Sequence, residues 1–501
     1  MRNKTMRVNI NSKKYSDTQY PVVGAATKSL GWSTTLAHDW DILWRDGSVS
    51  LSTLARMKTT QKINHFPGMY EISRKNCLAK NLNRFRETFP EDYDFYPETW
   101  ILPQDIEGFK SVLNNKNTLI IKPDASSQGK GIFLVNKIEE VKDLKNVIGQ
   151  KYINNPLLID GLKFDLRIYV LVAGCDPLRV YIHEEGLARF ATEPYSPPDM
   201  NNLNNRFMHL TNYAVNKHNE KFIQNQGDNE QSHKRSFSSI LKKLEKEGRD
   251  SANLWDDICD IIIKTLLTAQ PFLATSYKSA QSNDYYNGMC FEVLGFDILI
   301  DSDLRPWLLE VNFTPSFTTD SPLDLNIKKQ VITDTLRLVS LPDRSKQVFE
   351  KIKTQYIQKR TLGKKTAHEN IELRGFAQEI RDAYETQYCG GFIKIYPGSD
   401  YFEYTKILKH SQILWAGGFS DFLYLPRIKK PSFSESKDRN HSANKIRGKS
   451  PNTPMKTQRS GISPKRIVKV KTKLSFSSVD FSCSHSRSKS YLIGSDSSIL
   501  N

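Results

Sequence analysis

A chain of 501 residues with 38% apolar and 11% aromatic content can bury a large core and build two or three domains. Its formal charge of +17 is concentrated at one end, where residues 426–501 hold 17 Lys and Arg against 4 Asp and Glu. No run of 18 apolar residues exists, the N-terminus lacks the apolar block of a signal peptide, and the six cysteines are scattered without a C-x-x-C pair; secretion, membrane insertion, a disulfide framework and a zinc site are therefore unsupported, and a reducing compartment fits.

Residues 1–19 are polar and read as a flexible N-terminus. From Tyr20 to Phe66 the aromatic content rises, with Trp32, Trp40 and Trp44 spaced as in a small folded cap. A turn at Asn64 to Gly68 precedes a helical pattern with a basic face from Lys75 to Phe89, and His65 in that turn reads as structural sooner than as a ligand contact. Thr118 to Pro123 is a short apolar strand carrying Lys122; the loop from Asp124 to Ile132 contains Gly129 and Gly131, and a second strand follows to Val135. A glycine loop between antiparallel strands can fold its N–H groups over phosphates while a strand-borne lysine reaches the same oxygens. The G-K-[ST] of a P-loop is missing, and Gly-x-Gly alone is equally the mark of a plain hairpin.

Lys163 to Val172 alternates with period two, placing Lys163, Asp165 and Arg167 on one face and Phe164, Leu166, Ile168 and Val170 on the other. Such a row belongs at a cleft or in a salt-bridge ladder. Arg189 lies in an apolar run, Leu187 to Thr192, where it either pairs with a buried acid or binds an anionic ligand. Phe207 to Asn216 reads as a further strand interrupted by Thr211 and Asn212, His218 to Gly248 as a mobile loop leading into a helix, and Leu254 to Leu273 as one core helix.

Phe296 to Ile300 and Pro306 to Asn312 read as a hairpin turning near Ser302 and Asp303. Period two puts Glu310 with Asn312, and the turn sets Asp297 opposite Glu310. Opposed carboxylates cost up to about 1 kcal/mol, more when buried, unless a cation sits between them. An all-oxygen donor set suits a hard ion such as Mg²⁺ with a nucleotide, whereas the plainer alternative is an exposed hairpin with solvated acids. A helix from Leu323 to Val339, a basic patch at Lys359 to Lys365 and a small module around Gly390, Gly391 and Tyr396 reaching Leu425 come next. The Ser-, Lys- and Arg-rich tail, with repeated Ser-Pro and Thr-Pro, reads as disordered and fit for an acidic partner. Its basic residues lack interleaved aromatics, which argues against nucleic acid.

The order strand lysine, glycine loop, charged strand, Thr-Asn pair, Asp…Glu-x-Asn hairpin is that of an α+β ATP-grasp fold, with nucleotide and Mg²⁺ between two lobes. Long stretches of text carry a more specific likeness: NHFPGM from Asn64, KPDASSQGKGIF from Lys122, QKYINNPLLIDGLKFDLRIYVLV from Gln150, GLARFATEPY from Gly186, MHLTNYAVNK from Met208, CFEVLGFDILI from Cys290 and PWLLEVNFTPSF from Pro306. On these the chain resembles the tubulin tyrosine ligase-like family, its glutamate-adding branch most of all. The resemblance implies a catalytic domain over residues 20–365, a small extension over 366–425 and the basic tail over 426–501.

It also implies roles at matching positions. Lys122 would hold nucleotide phosphates under Gln128 and Gly129, with Gln150, Lys151, Tyr152 and Ile153 cupping adenine. Lys163, Phe164 and Asp165 would hold adenosine, Arg167 would approach the γ-phosphate, and Thr211 and Asn212 would complete the site. Arg189, Tyr213 and Lys234, or its neighbour Arg235, would bind the entering amino acid. Asp297, Glu310 and Asn312 would carry two Mg²⁺, with Arg167, Lys122 and Glu310 central to catalysis. The implied activity is ATP-dependent addition of L-glutamate to the acidic tails of tubulin in microtubules, in the cytoplasm and cytoskeleton and at the cilium or basal body. A glycine or tyrosine ligase, or an inactive microtubule binder, are the alternatives. Phe313 departs from the family, in which some members carry a polar residue, and this leaves starting versus lengthening of branches open.

Overall fold

The computed structural model describes residues 6–9, 18–35, 40–114, 117–126, 128–141, 144–227, 231–282, 284–361 and 369–416. The basic tail, most of the N-terminal 19 residues and the end of the 359–365 patch lie outside them.

The N-terminal cap is a parallel sheet of β1 (Arg7–Asn9), β2 (Ser33–Thr35), β3 (Ile42–Leu43) and β4 (Lys62–Ile63), in the order β2-β1-β3-β4, with α1 (Pro21–Ser29) and α2 (Leu51–Ala55) between strands. Of the three tryptophans, Trp44 is fully buried and Trp32 and Trp40 pack at core edges. After α3 (Tyr70–Ser73) and α4 (Lys75–Thr88) comes an antiparallel sheet of β5 (Thr99–Leu102), β6 (Leu119–Pro123), β7 (Phe133–Val135) and β8 (Val147–Lys151), in the order β5-β8-β6-β7, with α5 (Ile106–Asn114) on one side. Alternation along β6 explains the division of labour: Leu119 and Ile121 pack against Phe109 and Leu113 of α5, while Ile120 and Lys122 face the opposite way, into a cleft.

The central sheet is built on β10 (Leu162–Cys175), which the short β9 (Leu158–Ile159) precedes. One edge of β10 pairs with β11 (Leu178–His183) and then with β12 (Leu187–Phe190); the other pairs with β14 (Glu292–Ile300), which pairs with β15 (Pro306–Asn312). β13 (Lys234–Ser236) extends β12, and β16 (Phe392–Tyr396) extends β11, so the C-terminal module completes this sheet. Leu166, Ile168 and Val170 face a core formed largely with helices α8 (Phe237–Lys246), α9 (Ser251–Leu267) and α10 (Gln270–Ala280). On the opposite face Tyr169, Leu171 and Ala173 meet α1 and α11 (Pro322–Val339). The chain goes on through α12 (Asp343–Thr361), α13 (Glu369–Tyr388) and α14 (Thr405–Ala416). The result is a mixed α and β fold with three sheets among the described residues, consistent with an ATP-grasp arrangement.

Three local expectations change. Phe207 to Asn216 is two single helical turns, α6 (Arg206–His209) and α7 (Tyr213–Asn216), with Thr211 and Asn212 between them. Its polar groups bond locally: Asn205 accepts from Phe207 N, and Asn216 donates to Leu210 O and accepts from Thr192 N. The supposed loop before Gly248 contributes β13 and α8, the latter N-capped by Ser236. The core helix after Leu254 is two helices bent by 52° at Thr268 and Ala269, where Pro271 starts the second. No single helix among the described residues is long and apolar enough to cross a membrane.

Candidate active site

The charged face of β10 meets its cross-strand partners in one row. Arg167 stands opposite Asp297 of β14, Asp165 opposite Arg189 of β12, and Asp297 opposite Glu310 of β15. Arg167 donates Nη2 to Asp297 Oδ2 at 2.9 Å and Nε to Oδ1. Arg189 grips both oxygens of Asp165 at 2.7 Å and reaches Asp297 Oδ2 at 2.8 Å. Thr211 adds a hydroxyl donor to Asp165 Oδ2 at 2.7 Å. Burial pushes the Asp297 carboxyl up, but Arg167 and Arg189 outweigh it and hold it well below the usual carboxylate range. Of the two opposed acids, Asp297 is thus already met by two guanidinium groups and Glu310 has the Lys75 ammonium at 3.6 Å, so an inorganic cation is not the only way to offset their repulsion.

A bulge sets the phase of the metal-type residues. Ile298 faces Leu308 but Asp297 faces Glu310, so Leu309 is an extra residue on β15. Leu308 and Val311 can therefore both be core while Leu309 and Glu310 line the cleft. Glu310 Oε1 and Asp297 Oδ2 lie 3.2 and 3.4 Å from Asn312 Nδ2, so the three side chains converge. Two carboxylates and an amide suit a hard divalent ion once the amide presents its oxygen, and Glu310, which meets Asn312 at 3.2 Å and Lys75 at 3.6 Å, adds its carboxylate to that set.

The facing wall comes from the smaller sheet. Lys122 donates to Gln150 Oε1 at 2.6 Å, and Gln150 donates in turn to Thr99 Oγ1. Burial lowers the Lys122 pKa to about 8, against the opposing pull of Glu310. Lys163 donates to Tyr152 Oη at 2.9 Å and His209 O at 3.0 Å, and burial brings it to about 7. Gly129, at φ +76°, packs so tightly that a Cβ there would come within 2.9 Å of Asn212 Oδ1 and of Val215 Cγ2. Arg206 also donates to its carbonyl oxygen, which ties the glycine loop to the α6–α7 turn.

Lys122, Gln150, Lys151, Tyr152, Ile153, Lys163, Asp165, Thr211, Asn212, Asp297 and Glu310 all line one cleft. Gln128, Arg167, Tyr213 and Lys234 line a neighbouring cavity of about 800 Å³. Three expected residues are placed otherwise. Phe164 points to the opposite face and stacks on Phe190 at 5.2 Å, so only its backbone borders the cleft strand. Arg189 has its guanidinium committed to Asp165 and Asp297, the buried-acid alternative. Arg235 pairs with Asp160 and covers the Phe190 ring, which removes it as a helper of Lys234. His65 is structural: its two ring nitrogens meet Glu292 Oε1 and Arg45 O, and Phe313 packs edge-on against it.

Sequence reasoning missed two contributors. Lys75 starts α4 and joins Ser126 O of the glycine loop (2.9 Å) to Glu310, yet helical periodicity marks it only as part of a basic face. His209 lines the cleft and bonds Tyr152 Oη at 2.9 Å; the HLTN text held it without a signal of its own.

A model of the tubulin-tyrosine ligase family matches residues 53–348. The chain is similar to a probable beta-tubulin polyglutamylase of Tetrahymena thermophila, 47% identical over 400 residues that cover 77% of this chain and 33% of that protein. It is also similar to tubulin polyglutamylase TTLL13 of Mus musculus, 42% identical over 419 residues (82% and 51% of the two chains), and to tubulin polyglutamylase ttll6 of Danio rerio, 44% identical over 384 residues (75% and 49%). The chain thus spans between a third and about half of the length of these relatives.

Proposed function

The chain belongs to the tubulin-tyrosine ligase family, and from that premise we propose that it is an ATP-dependent ligase adding glutamate to glutamate side chains in tubulin tails. The observation that carries this reading is a single cleft holding a buried lysine, Lys122, against the carboxylates of Asp297 and Glu310, continuous in sequence and sheet with a cation-lined cavity.

The chemistry follows from charge. A carboxylate is a poor acyl donor, because its negative charge repels a nucleophile and oxide is a poor leaving group, so the γ-phosphoryl group of ATP passes to the tubulin glutamate carboxylate, giving an acyl phosphate and ADP. The amine of free glutamate attacks that carbonyl, phosphate leaves with the bonding pair, the amine loses a proton, and an isopeptide bond remains. Lys122 and Arg167 offset the charge that moves between the phosphoryl oxygens, and the Gln128–Gly129 loop covers them. Gln150 to Ile153 and Lys163 line the cleft and would hold the adenosine part of the nucleotide. Asp297, Glu310 and Asn312 would hold Mg²⁺, up to two ions, which neutralises phosphate charge when bound. No covalent nucleophile is needed, because positioning supplies much of the barrier reduction.

Tubulin as substrate makes the cytoskeleton the expected location, with cilium or basal body a narrower expectation. The tail's positive surplus fits the acidic tubulin surface by multivalent attraction. The test is to incubate the purified chain with ATP, Mg²⁺, microtubules and labelled glutamate, glycine or tyrosine, and weigh the tubulin tails. Glutamate mass increments support the proposal; glycine or tyrosine increments, or none, reject it.

A further inference from the structure

The turn from Asn64 to Phe66 joins the cap sheet to the start of β14 through a buried ionisable pair. Ile63 N donates to Met289 O at 2.8 Å and Phe291 N to Ile63 O at 3.0 Å, so the end of β4 runs beside the chain entering β14. Just beyond, His65 Nδ1 meets Glu292 Oε1 at 2.7 Å, and Phe66 N donates to Glu292 Oε2 at 2.9 Å. His65 is 2% exposed and Glu292 0%.

The hydrogens of this pair follow from its partners. Arg45 O can only accept, so His65 Nε2, 2.8 Å from it, carries a hydrogen. Nδ1 and Oε1 at 2.7 Å need a second hydrogen between them, because two lone pairs at that distance repel in a buried site. Imidazolium with carboxylate and imidazole with carboxylic acid both meet this need, and either way the pair keeps one proton. Burial pushes the Glu292 carboxyl up, the direction that favours keeping it. The charged groups on the cavity side of the pair are Arg45 and Asp46. Tyr20 on that side and Cys290 on the other are both pushed up by burial and stay neutral near pH 7, with Lys62 and Asp284 beyond Cys290.

The same histidine ring supports Phe313, in a T-shaped contact at 6.1 Å, and Phe313 follows Asn312 at the end of β15. Without the proton, lone pairs of Nδ1 and Oε1 would oppose each other, the ring would turn, and Phe313 would lose its support. We propose that His65, held by Glu292 through one shared proton, is a positioning residue that fixes Phe313 for an acidic acceptor peptide. The acceptor half rests on the ligase reading above, since it takes the residue after Asn312 to border the path of the acceptor carboxylate; the shared proton does not.

Unfolded histidine and glutamate titrate near about pH 6.5 and 4.3, so above about pH 6.5 the unfolded pair holds no proton while the folded pair holds one. Stability from this source is full below that pH and declines above it, the folding equilibrium falling about tenfold per pH unit until the folded pair gives up its proton. Urea unfolding of the full chain between about pH 6.5 and 8.5 tests this against Glu292→Gln, whose amide donates to Nδ1 and whose oxygen accepts from Phe66 with no extra proton. Relative to that variant, wild type should lose at least about tenfold in folding equilibrium across the range. Parallel profiles overturn the shared proton.

Calorimetric binding of a glutamate-rich tubulin-tail peptide, with Mg²⁺ and a nonhydrolysable ATP analogue, tests the positioning. His65→Ala and Phe313→Ala should each weaken the peptide about tenfold, the double variant no further, and all should bind the analogue within about twofold of wild type. His65→Gln, which keeps one donor and removes the ring, carries the same expectation where the alanine variant does not fold. Multiplying losses in the double variant, unchanged peptide affinity in the His65 variant, equal loss of analogue binding, or no peptide binding to wild type overturn the positioning role. A peptide that binds with the expected dependence on His65 and Phe313 but never gains glutamate defeats the ligase reading and leaves this role standing.

Discussion

The floor of the cleft and the wall of the neighbouring cavity treat charge in opposite ways. On the floor Asp165 and Asp297 face Arg167 and Arg189, two acids against two guanidinium groups, joined by fork-like contacts that balance the charge. In the cavity wall one acid, Asp324, holds two lysines. A balanced network makes a rigid frame, and an unbalanced one retains attraction for a ligand.

The sharpest way to break this comparison is Asp297→Asn, which strips two buried arginines of their shared partner. Loss of all ligase activity and about 3–5 kcal/mol of stability is expected, read by urea unfolding beside a tubulin incorporation assay. Near-native stability would mean that the floor is not a frame. Glu310→Gln offers the contrast, since Glu310 is only lightly tied and its side chain is 23% exposed. Incorporation should vanish while stability stays within about 1 kcal/mol of wild type, because little structural pairing is lost. Substantial residual incorporation would refute the metal role.

Lys122 sharpens the comparison through pH. Its pKa is brought to about 8, so it is mainly neutral at pH 9 and mainly cationic at pH 7, and anionic nucleotide binds the cationic form. Affinity for an ATP analogue should therefore fall about tenfold from pH 7 to pH 9, and Lys122→Arg should flatten that slope because guanidinium stays charged. An equally steep slope in the arginine variant would assign the titration elsewhere. Smallest in its effect on activity is Phe164→Leu, which should cost about 1–2 kcal/mol through lost packing on Phe190 and leave KM for ATP unchanged. A raised KM would return Phe164 to the nucleotide site.

Much of the site was legible because strand alternation is a local rule. Lys163, Asp165 and Arg167 share a face by period two, and the hairpin brings Asp297 opposite Glu310 as expected. The bulge that places Leu308 in the core and Leu309 beside Glu310 in the cleft lies outside that rule, since one extra residue leaves no mark on the hydrophobic pattern. The rule failed at Thr211 and Asn212, where the polar side chains of Asn205 and Asn216 satisfy the backbone in place of a sheet partner.

By itself, then, the sequence determined the mixed architecture, the shared face of Lys163, Asp165 and Arg167 and the oxygen-donor character of the hairpin, all properties of short stretches read with periods of 2 and 3.6, while the family resemblance supplied the other cleft residues. Tertiary structure alone decided which charges are spoken for. Asp165 finds Arg189 across 24 residues, Arg167 finds Asp297 across 130, Lys75 finds Glu310 across the cleft, and Asp324 gathers Lys234 from 90 residues away. A charge is free or paired according to what lies within about 4 Å, and that distance is set by how sheets and helices pack.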